Sequence, residues 1–413
     1  MPAEAKALSE KRGFDVVVVG GGVIGLSCAW RLARDGARVA VLERGEPGGG
    51  ATRVAAGMLA PVGELTFGEP ELLELTLAAA RLYPEFVAEL EAATGQSTGY
   101  ERLGALHVAL DRDEAAQLRR VHDLQRSLEL EAEWLPPRRC RDLEPGLTPS
   151  FHGGVLAEGE AAVDPRALTR ALVAACAAEG VEVRSETEVI DGVFDGDRLV
   201  GVRTVPTSAG PFDRYAEQKS GGPFDCGGEE GVRADHVVLA AGAWSGAMGW
   251  LPEEARPPVR PVKGLVVELR GRDGERVARH IHASERVYLV PRADGRLVVG
   301  ATVEEVGFDT AVTAGGVHEL LREAYRLLPD VAEMELIGAT AGLRPGTPDN
   351  LPLVGPGAIE GLALATGHYR NGILLAPLAA QAVADLLSNR RSSFVGLETT
   401  KDERAVTGVG QKS

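Results

Sequence analysis

Near the start of the chain, FDVVVV (Phe14–Val19) is an unbroken apolar run, the pattern of a strand buried on both faces. In VIGLSCAWRLARDG the apolar positions recur at helical spacing until Gly36 stops them. ARVAVLE predicts a second strand, ending in Glu43. PELLELTLAAARLYPEFVAELEAAT (Pro70 to Thr94) predicts a long amphipathic helix, ERLGALHVAL a strand and DEAAQLRRVHDLQRSLEL another helix. Asp164-Pro165 opens a helix over RALTRALVAACAAEG, with aspartate as N-cap, proline in the first turn and Gly180 as the stop. VEVRSETEVIDGV and DRLVGVRTV read as paired strands. ADHVVLAAGAWSG reads as a buried strand leading into a short helix. RPVKGLVVELR, RVYLVPR and RLVVGAT predict strands, with a hairpin at RADGR between the last two. LALATG predicts a strand, and NGILLAPLAAQAVADLL a helix beginning near Asn371.

The first turn carries chemistry. Gly20, Gly22 and Gly25 form G-x-G-x-x-G between the first strand and its helix, and Glu43 lies 18 residues beyond Gly25. Glycines let backbone approach a pyrophosphate, and the helix N-terminus offers N–H groups and a partial positive charge. A carboxylate at the second strand's end suits a ribose hydroxyl and disfavours a 2′-phosphate. The element predicts dinucleotide binding and does not by itself separate NAD from FAD.

Rossmann-like pieces lie at the start, middle and end, with strand-rich stretches between them. This predicts an α/β protein of two discontinuous domains. A nucleotide-binding domain takes 1–62, 152–252 and 336–390. An α+β substrate domain on an antiparallel sheet takes 63–151 and 253–335, and the active site lies where the two meet. The polar, glycine-rich segment 206–231, which repeats GPFD, predicts a long surface loop, and 391–413 a frayed polar tail.

Composition narrows the function. With 413 residues, 44% of them hydrophobic, the chain can fill two cores. A net charge of −16 argues against nucleic-acid binding. Cys28, Cys140, Cys176 and Cys226 stand far apart, so neither a metal site nor a disulfide framework is expected, and a reduced cytoplasm fits. No apolar run reaches membrane-spanning length. Arg344 and Arg370 each sit in a glycine-rich, mostly apolar setting, which is costly unless a negative charge meets them.

The segments VVVVGGGVIGLSCAWRLARDGARVAVLE, ATRVAAGML, VVLAAGAWS, RVYLVPRADGRLVVGAT, GLRPGTPDNLPLVG and GHYRNGILLAP occur in that order. With them the chain resembles the D-amino-acid oxidase and sarcosine oxidase family of FAD enzymes, above all its glycine-oxidising branch in thiamine biosynthesis. The likeness runs from about Phe14 to Leu387, with 206–231 as a departure.

That resemblance implies noncovalent FAD, because Gly342 to Arg344 stand where sarcosine oxidases carry a flavin-linking cysteine. It puts Val23, Ile24, Glu43 and Arg44 on the adenosine and pyrophosphate side. Ala51, Thr52, Ala56, Gly57 and Met58 would run along the flavin, with Val189, Ala241 and Gly242 also at the cofactor. His368, Tyr369, Arg370, Asn371, Gly372, Ile373 and Leu374 would pass under the ring. Tyr288, Arg344 and Arg370 would be the catalytic group, with Met58 beside them at the substrate.

The chemistry agrees. A small amino acid offers its carboxylate as a handle, and arginine meets a carboxylate with a planar fork. The resemblance further implies glycine oxidation by O2 to an imine and glyoxylate, with ammonia and hydrogen peroxide, a homotetramer, and delivery of product to thiazole synthase. Arg286, where some glycine oxidases have histidine, and Val303 leave sarcosine or small D-amino acids open as substrates. Two other functions compete. One is a D-amino-acid dehydrogenase passing electrons to a carrier, and the other a flavoprotein without turnover. Arg260 and Lys263 are expected to be structural or at the surface.

Overall fold

In the computed structural model, which describes residues 13–207 and 230–388, the Phe14–Val19 strand lies at the centre of a parallel sheet. Val39–Leu42 pairs with it on one side and Glu230–Leu239 on the other. Glu182–Arg184 and Leu362–Thr366 extend the sheet outward, also parallel. The predicted strand pair, Thr187–Asp195 and Arg198–Pro206, is an antiparallel hairpin on the free end of Glu230–Leu239. Four helices cover one face: Val23–Arg34, Pro70–Thr94, Pro165–Ala178 and Gly372–Leu387. Val18, Leu26, Trp30, Leu90, Leu172 and Leu375 are among the buried side chains that join them into one core. This is the Rossmann-like layer expected from the sequence.

A second eight-stranded sheet, mostly antiparallel, stands beside it. Its order runs Glu335–Gly346, Arg260–Arg270, Arg296–Gly300, Tyr288–Pro291, Ile281–Ala283, Ala105–Val108, Gly154–Ala157, Glu133–Leu135. Helix Ala314–Leu327 buries Leu320, Ala324 and Leu327 against Leu265, Val267 and Leu269 of this sheet. The predicted hairpin at Asp294-Gly295 joins two of its strands.

The sheets divide the chain differently from the expected boundaries in three places. Glu335–Gly346 pairs along its length with Arg260–Arg270, so 336–346 goes with the second sheet. Gly154–Ala157 does likewise through Ala105–Val108. Helix Pro70–Thr94, expected in the substrate domain, buries Leu72, Leu75, Tyr83 and Leu90 in the nucleotide-domain core. Hydropathy marks a segment as buried without saying which neighbour buries it. Of the expected 206–231 loop, residues 208–229 lie outside the described residues, as do 391–413.

A charged seam joins the two layers. Asp164 caps helix Pro165–Ala178 by accepting from the Arg166 and Ala167 N–H groups. It also takes a hydrogen bond from Arg296 of the second sheet. Arg166 donates to Glu268 across the same seam (3.1 Å). Buried Arg292 donates to the Ala56 carbonyl.

Candidate active site

Between the two layers lies a cavity of about 650 Å³. One end is built from consecutive sequence. Gly25 must be glycine, because a Cβ there would collide with the Gly20 carbonyl where helix and strand touch. Val23, at the helix N-terminus, donates its N–H to the Thr52 hydroxyl (3.1 Å). Glu43 accepts from Gly21 N–H (2.7 Å) and Gly45 N–H (2.9 Å), which fixes its carboxylate and leaves lone pairs on both oxygens. The Arg44 guanidinium lies 3.8 Å from the centroid of the Trp244 ring.

The other end is assembled from distant segments. Tyr288 and Arg344 stand on strands of the second sheet with two others between them, Arg260–Arg270 and Arg296–Gly300, and their side chains reach toward each other across these. Glycines clear the room they need: a Cβ at Gly264 would meet the Arg344 guanidinium, and one at Gly300 the Tyr288 ring. Arg344 Nη1 donates to the carbonyls of Thr302 (3.1 Å) and Lys263 (3.4 Å). Burial pushes the Tyr288 hydroxyl pKa up, against the nearby Arg344 charge, which lowers it. Half-buried Glu64 lines the same end; burial raises its pKa, and Arg370 and Arg344 pull it back. Arg370 also lines the cavity, but its charge is met: it donates to Glu69 (2.6 Å) and Thr66 (3.0 Å). Asn350 holds the other oxygen of Glu69 (2.7 Å).

The floor is the turn before helix Gly372–Leu387. Tyr369 has φ 44°, a left-handed conformation unusual for a non-glycine residue and enriched at functional sites. His368 is buried, its Nε2 has no partner, and burial pushes its pKa down to about 3, so the imidazole is neutral. Gly372 and Ile373 put the positive end of the helix dipole at the cavity.

Most of the expected site residues meet here. Gly20, Gly22, Val23, Ile24, Glu43, Arg44, Ala51, Thr52, Ala56, Gly57, Met58, Val189, Ala241, Gly242, Tyr288, Arg344, His368, Tyr369, Arg370, Gly372 and Ile373 all line the cavity. Three expected residues stand behind its wall. Gly25 serves helix–strand contact, Asn371 is buried at the position before the helix without a side-chain capping bond, and Leu374 is buried in the helical core. Val303 lines the cavity, whereas Arg286 is exposed and does not.

Lys263 is not at the surface. It is 1% exposed and pairs with Glu304 (3.4 Å) and Asp309 (3.6 Å), anchoring the segment after Gly300. Sequence reading missed Glu64, Glu69 and Trp244. Glu64 and Glu69 fall in an irregular stretch between two predicted elements, without periodicity to mark them.

The glycine turn, the fixed Glu43 carboxylate, the helix N-termini and the orphaned His368 nitrogen suit a dinucleotide carrying a flat apolar ring. The site defines the class of a flavin-dependent oxidoreductase. A match to the FAD dependent oxidoreductase (DAO) family runs over residues 15–386, and the chain belongs to that family. It is an FAD-dependent enzyme.

The chain is 35% identical over 387 residues to the glycine oxidase of Geobacillus kaustophilus, covering 92% of this chain and 94% of that protein. It is 36% identical over 380 residues to the "Bifunctional protein ThiO/ThiG" of Trichormus variabilis. That alignment covers 92% of this chain and 53% of the relative, so the chain spans about half of the bifunctional protein. Among solved structures, glycine oxidase from Geobacillus kaustophilus superposes with a TM-score of 0.82 at 34% identity, covering 94% of this chain and 98% of that one.

Proposed function

We propose that the protein oxidises glycine, with sarcosine and small D-amino acids as further candidate substrates. Dioxygen is the electron acceptor. Glycine, O2 and water give glyoxylate, ammonia and hydrogen peroxide by way of the imine. The observation that carries this reading is Arg344, held by carbonyls at the end of the cavity with Tyr288 beside it and Glu64 sharing that end.

Arg344 takes the substrate carboxylate with its planar fork, and the Tyr288 hydroxyl is a second donor. Glu64 meets the amine. Fixing both ends of a two-carbon molecule orients its Cα–H, which is catalysis by position. Arg370 keeps Thr66 and Glu69, and so the cavity entrance, in place. FAD, when bound, supplies the two-electron redox chemistry. Glu43 and the turn at Gly20–Val23 would hold its adenosine and pyrophosphate, and Ala51 to Met58 with His368, Tyr369, Gly372 and Ile373 its ring. The cofactor is held without a covalent link, a reading that rests on Gly342, Leu343 and Arg344 at the place of a flavin-linking cysteine.

The fused ThiO/ThiG relatives support a place beside thiazole synthesis, with product handed to a thiazole synthase. A homotetramer, as the family resemblance implies, in the reduced cytoplasm that the scattered cysteines fit, completes the reading. Among the described residues no helix is long and apolar enough to cross a membrane.

One assay tests the reaction. Purified holoenzyme is offered glycine, sarcosine and D-alanine under air, with peroxide measured. Peroxide on adding glycine is the expected result. Flavin bleaching that yields no peroxide under air, but reduces an added dye, assigns electron transfer to a carrier instead.

A further inference from the structure

Behind the amine end of the cavity lies a buried carboxylate that the chemistry above does not use. Glu160 is 1% exposed. Its Oε1 accepts two consecutive backbone N–H groups, from Val62 (2.8 Å) and Gly63 (2.9 Å), while its Oε2 is buried without a partner. Gln125 Nε2 holds the Val62 carbonyl (2.9 Å). Gly63 packs against His107 so closely that a side chain there would strike the imidazole. The next residue is Glu64.

We propose that Glu160 is a positioning residue: by gripping Val62 and Gly63 it sets Glu64 at the same end of the cavity as Arg344 and gives the pocket a preference for zwitterionic amino acids over plain carboxylates. The inference rests on the amine-oxidase reading of the site. Residues 61–64 form a turn outside any helix or strand, closed by the Glu64 N–H to the Ala60 carbonyl (3.0 Å). Their placement therefore depends on outside acceptors, and Glu160 is the one that takes two donors at once. Arg370 and Arg344 both act on Glu64, Arg370 the more strongly, but Glu69 already meets the charge of Arg370, which leaves Arg344 as the cation open to a substrate carboxylate at the end that Glu64 shares. A small zwitterion satisfies both, whereas acetate satisfies Arg344 and is repelled by Glu64. Burial pushes the Glu160 pKa up to about 8, so near neutral pH the group is mostly an uncharged acid and glutamine is its close mimic.

The test uses FAD-loaded wild type, Glu160→Ala, Glu160→Asp, Glu160→Gln and Glu64→Gln. The readouts are KM and kcat for glycine, and Kd for acetate from the shift in flavin absorbance. Glu160→Ala should raise the glycine KM about tenfold, the effect of losing the one charge-assisted hydrogen bond between Glu64 and the substrate amine, while acetate binds as well as before or better. Glu64→Gln should show the same split. Glu160→Gln should bring KM back to within about twofold of wild type. Glu160→Asp, with a shorter reach, should move in the direction of alanine, and it is the variant to read if alanine does not retain FAD.

An unchanged glycine KM in the alanine and aspartate variants overturns the proposal. So does equal weakening of glycine and acetate, the mark of general damage. A split in Glu64→Gln that Glu160→Ala lacks removes the role of Glu160 and leaves the site reading intact. A wild type that oxidises none of the three amines defeats the site reading itself, and the proposal with it.

Discussion

The two ends of the cavity are built in opposite ways. The nucleotide end draws its main parts from one strand–turn–helix–strand run, Phe14 to Arg44, and its hydrogen bonds link Gly21 and Gly45 to Glu43. The amine end gathers Glu64, Gly264, Tyr288, Gly300, Arg344 and Arg370 from across the chain. At the first end local geometry is the function, so one substitution can abolish it. At the second each residue is positioned by others, and damage is graded.

The sharpest way to break this contrast is Gly25→Val. The added Cβ meets a backbone oxygen, which cannot rotate away. The cost should lie at the top of the ~1–3 kcal/mol typical of overpacking, or beyond it. The variant should purify without yellow colour and fail to take up FAD on reconstitution. A normally loaded variant would mean that the helix and strand do not need this contact.

Arg344→Ala comes next. Removing one partner of a buried charge pair costs about 3–5 kcal/mol, or roughly two-hundredfold to five-thousandfold in binding. The glycine KM should rise on that scale while bound FAD is unchanged, since Arg344 touches only the amine end. Steady-state kinetics beside flavin absorbance separate the two effects. A near-normal KM would refute the carboxylate clamp.

What could be read from the sequence follows the same division. Val16, Gly20, Gly25 and Glu43 declare themselves because spacing within one supersecondary unit has chemical meaning. Arg344 could be singled out as a charge in an apolar setting, yet its neighbours could not. Gly264 and Gly300 look like ordinary strand glycines until the sheet order puts them under Arg344 and Tyr288. Glu64 carries no pattern at all. Lys263, expected to be structural or at the surface, is structural, and the sequence could not choose between the two because its partners, Glu304 and Asp309, lie far along the chain and only the fold brings them in. Family likeness supplied Tyr288; no local rule selects it.

The seam between the layers gives a pH test of how the ends are held in register. Burial alone would raise the Asp164 pKa, but the hydrogen bonds from Arg296 and the Ala167 N–H outweigh it and hold it below the usual range. A depressed carboxylate pKa gives stability that is fully present above the unfolded value of about 3.9 and is lost as pH falls through the folded value. Asp164→Asn keeps a capping oxygen and removes the charge. It should lower stability by about 1–2 kcal/mol near neutrality and flatten the acid limb of the Tm–pH curve below about pH 4. A variant whose acid limb matches wild type would remove Asp164 as its source.

The smallest effect tests whether the two ends are separate at all. Phe308 belongs to the segment that Lys263 anchors at the amine end, through Glu304 and Asp309. Its ring stacks on Trp244 at 5.8 Å between centroids, and Trp244 in turn carries Arg44 of the nucleotide end. Phe308→Ala removes one aromatic pair, worth about 0.5–1.5 kcal/mol. If Trp244 then loosens over the cofactor, the FAD dissociation constant should rise about threefold to tenfold, with glycine KM unchanged at saturating FAD. Fluorescence recovery on dilution of the holoenzyme measures it. A change in KM without a change in FAD affinity would show that the strap serves only the end from which it starts, and the two regions would then be mechanically independent.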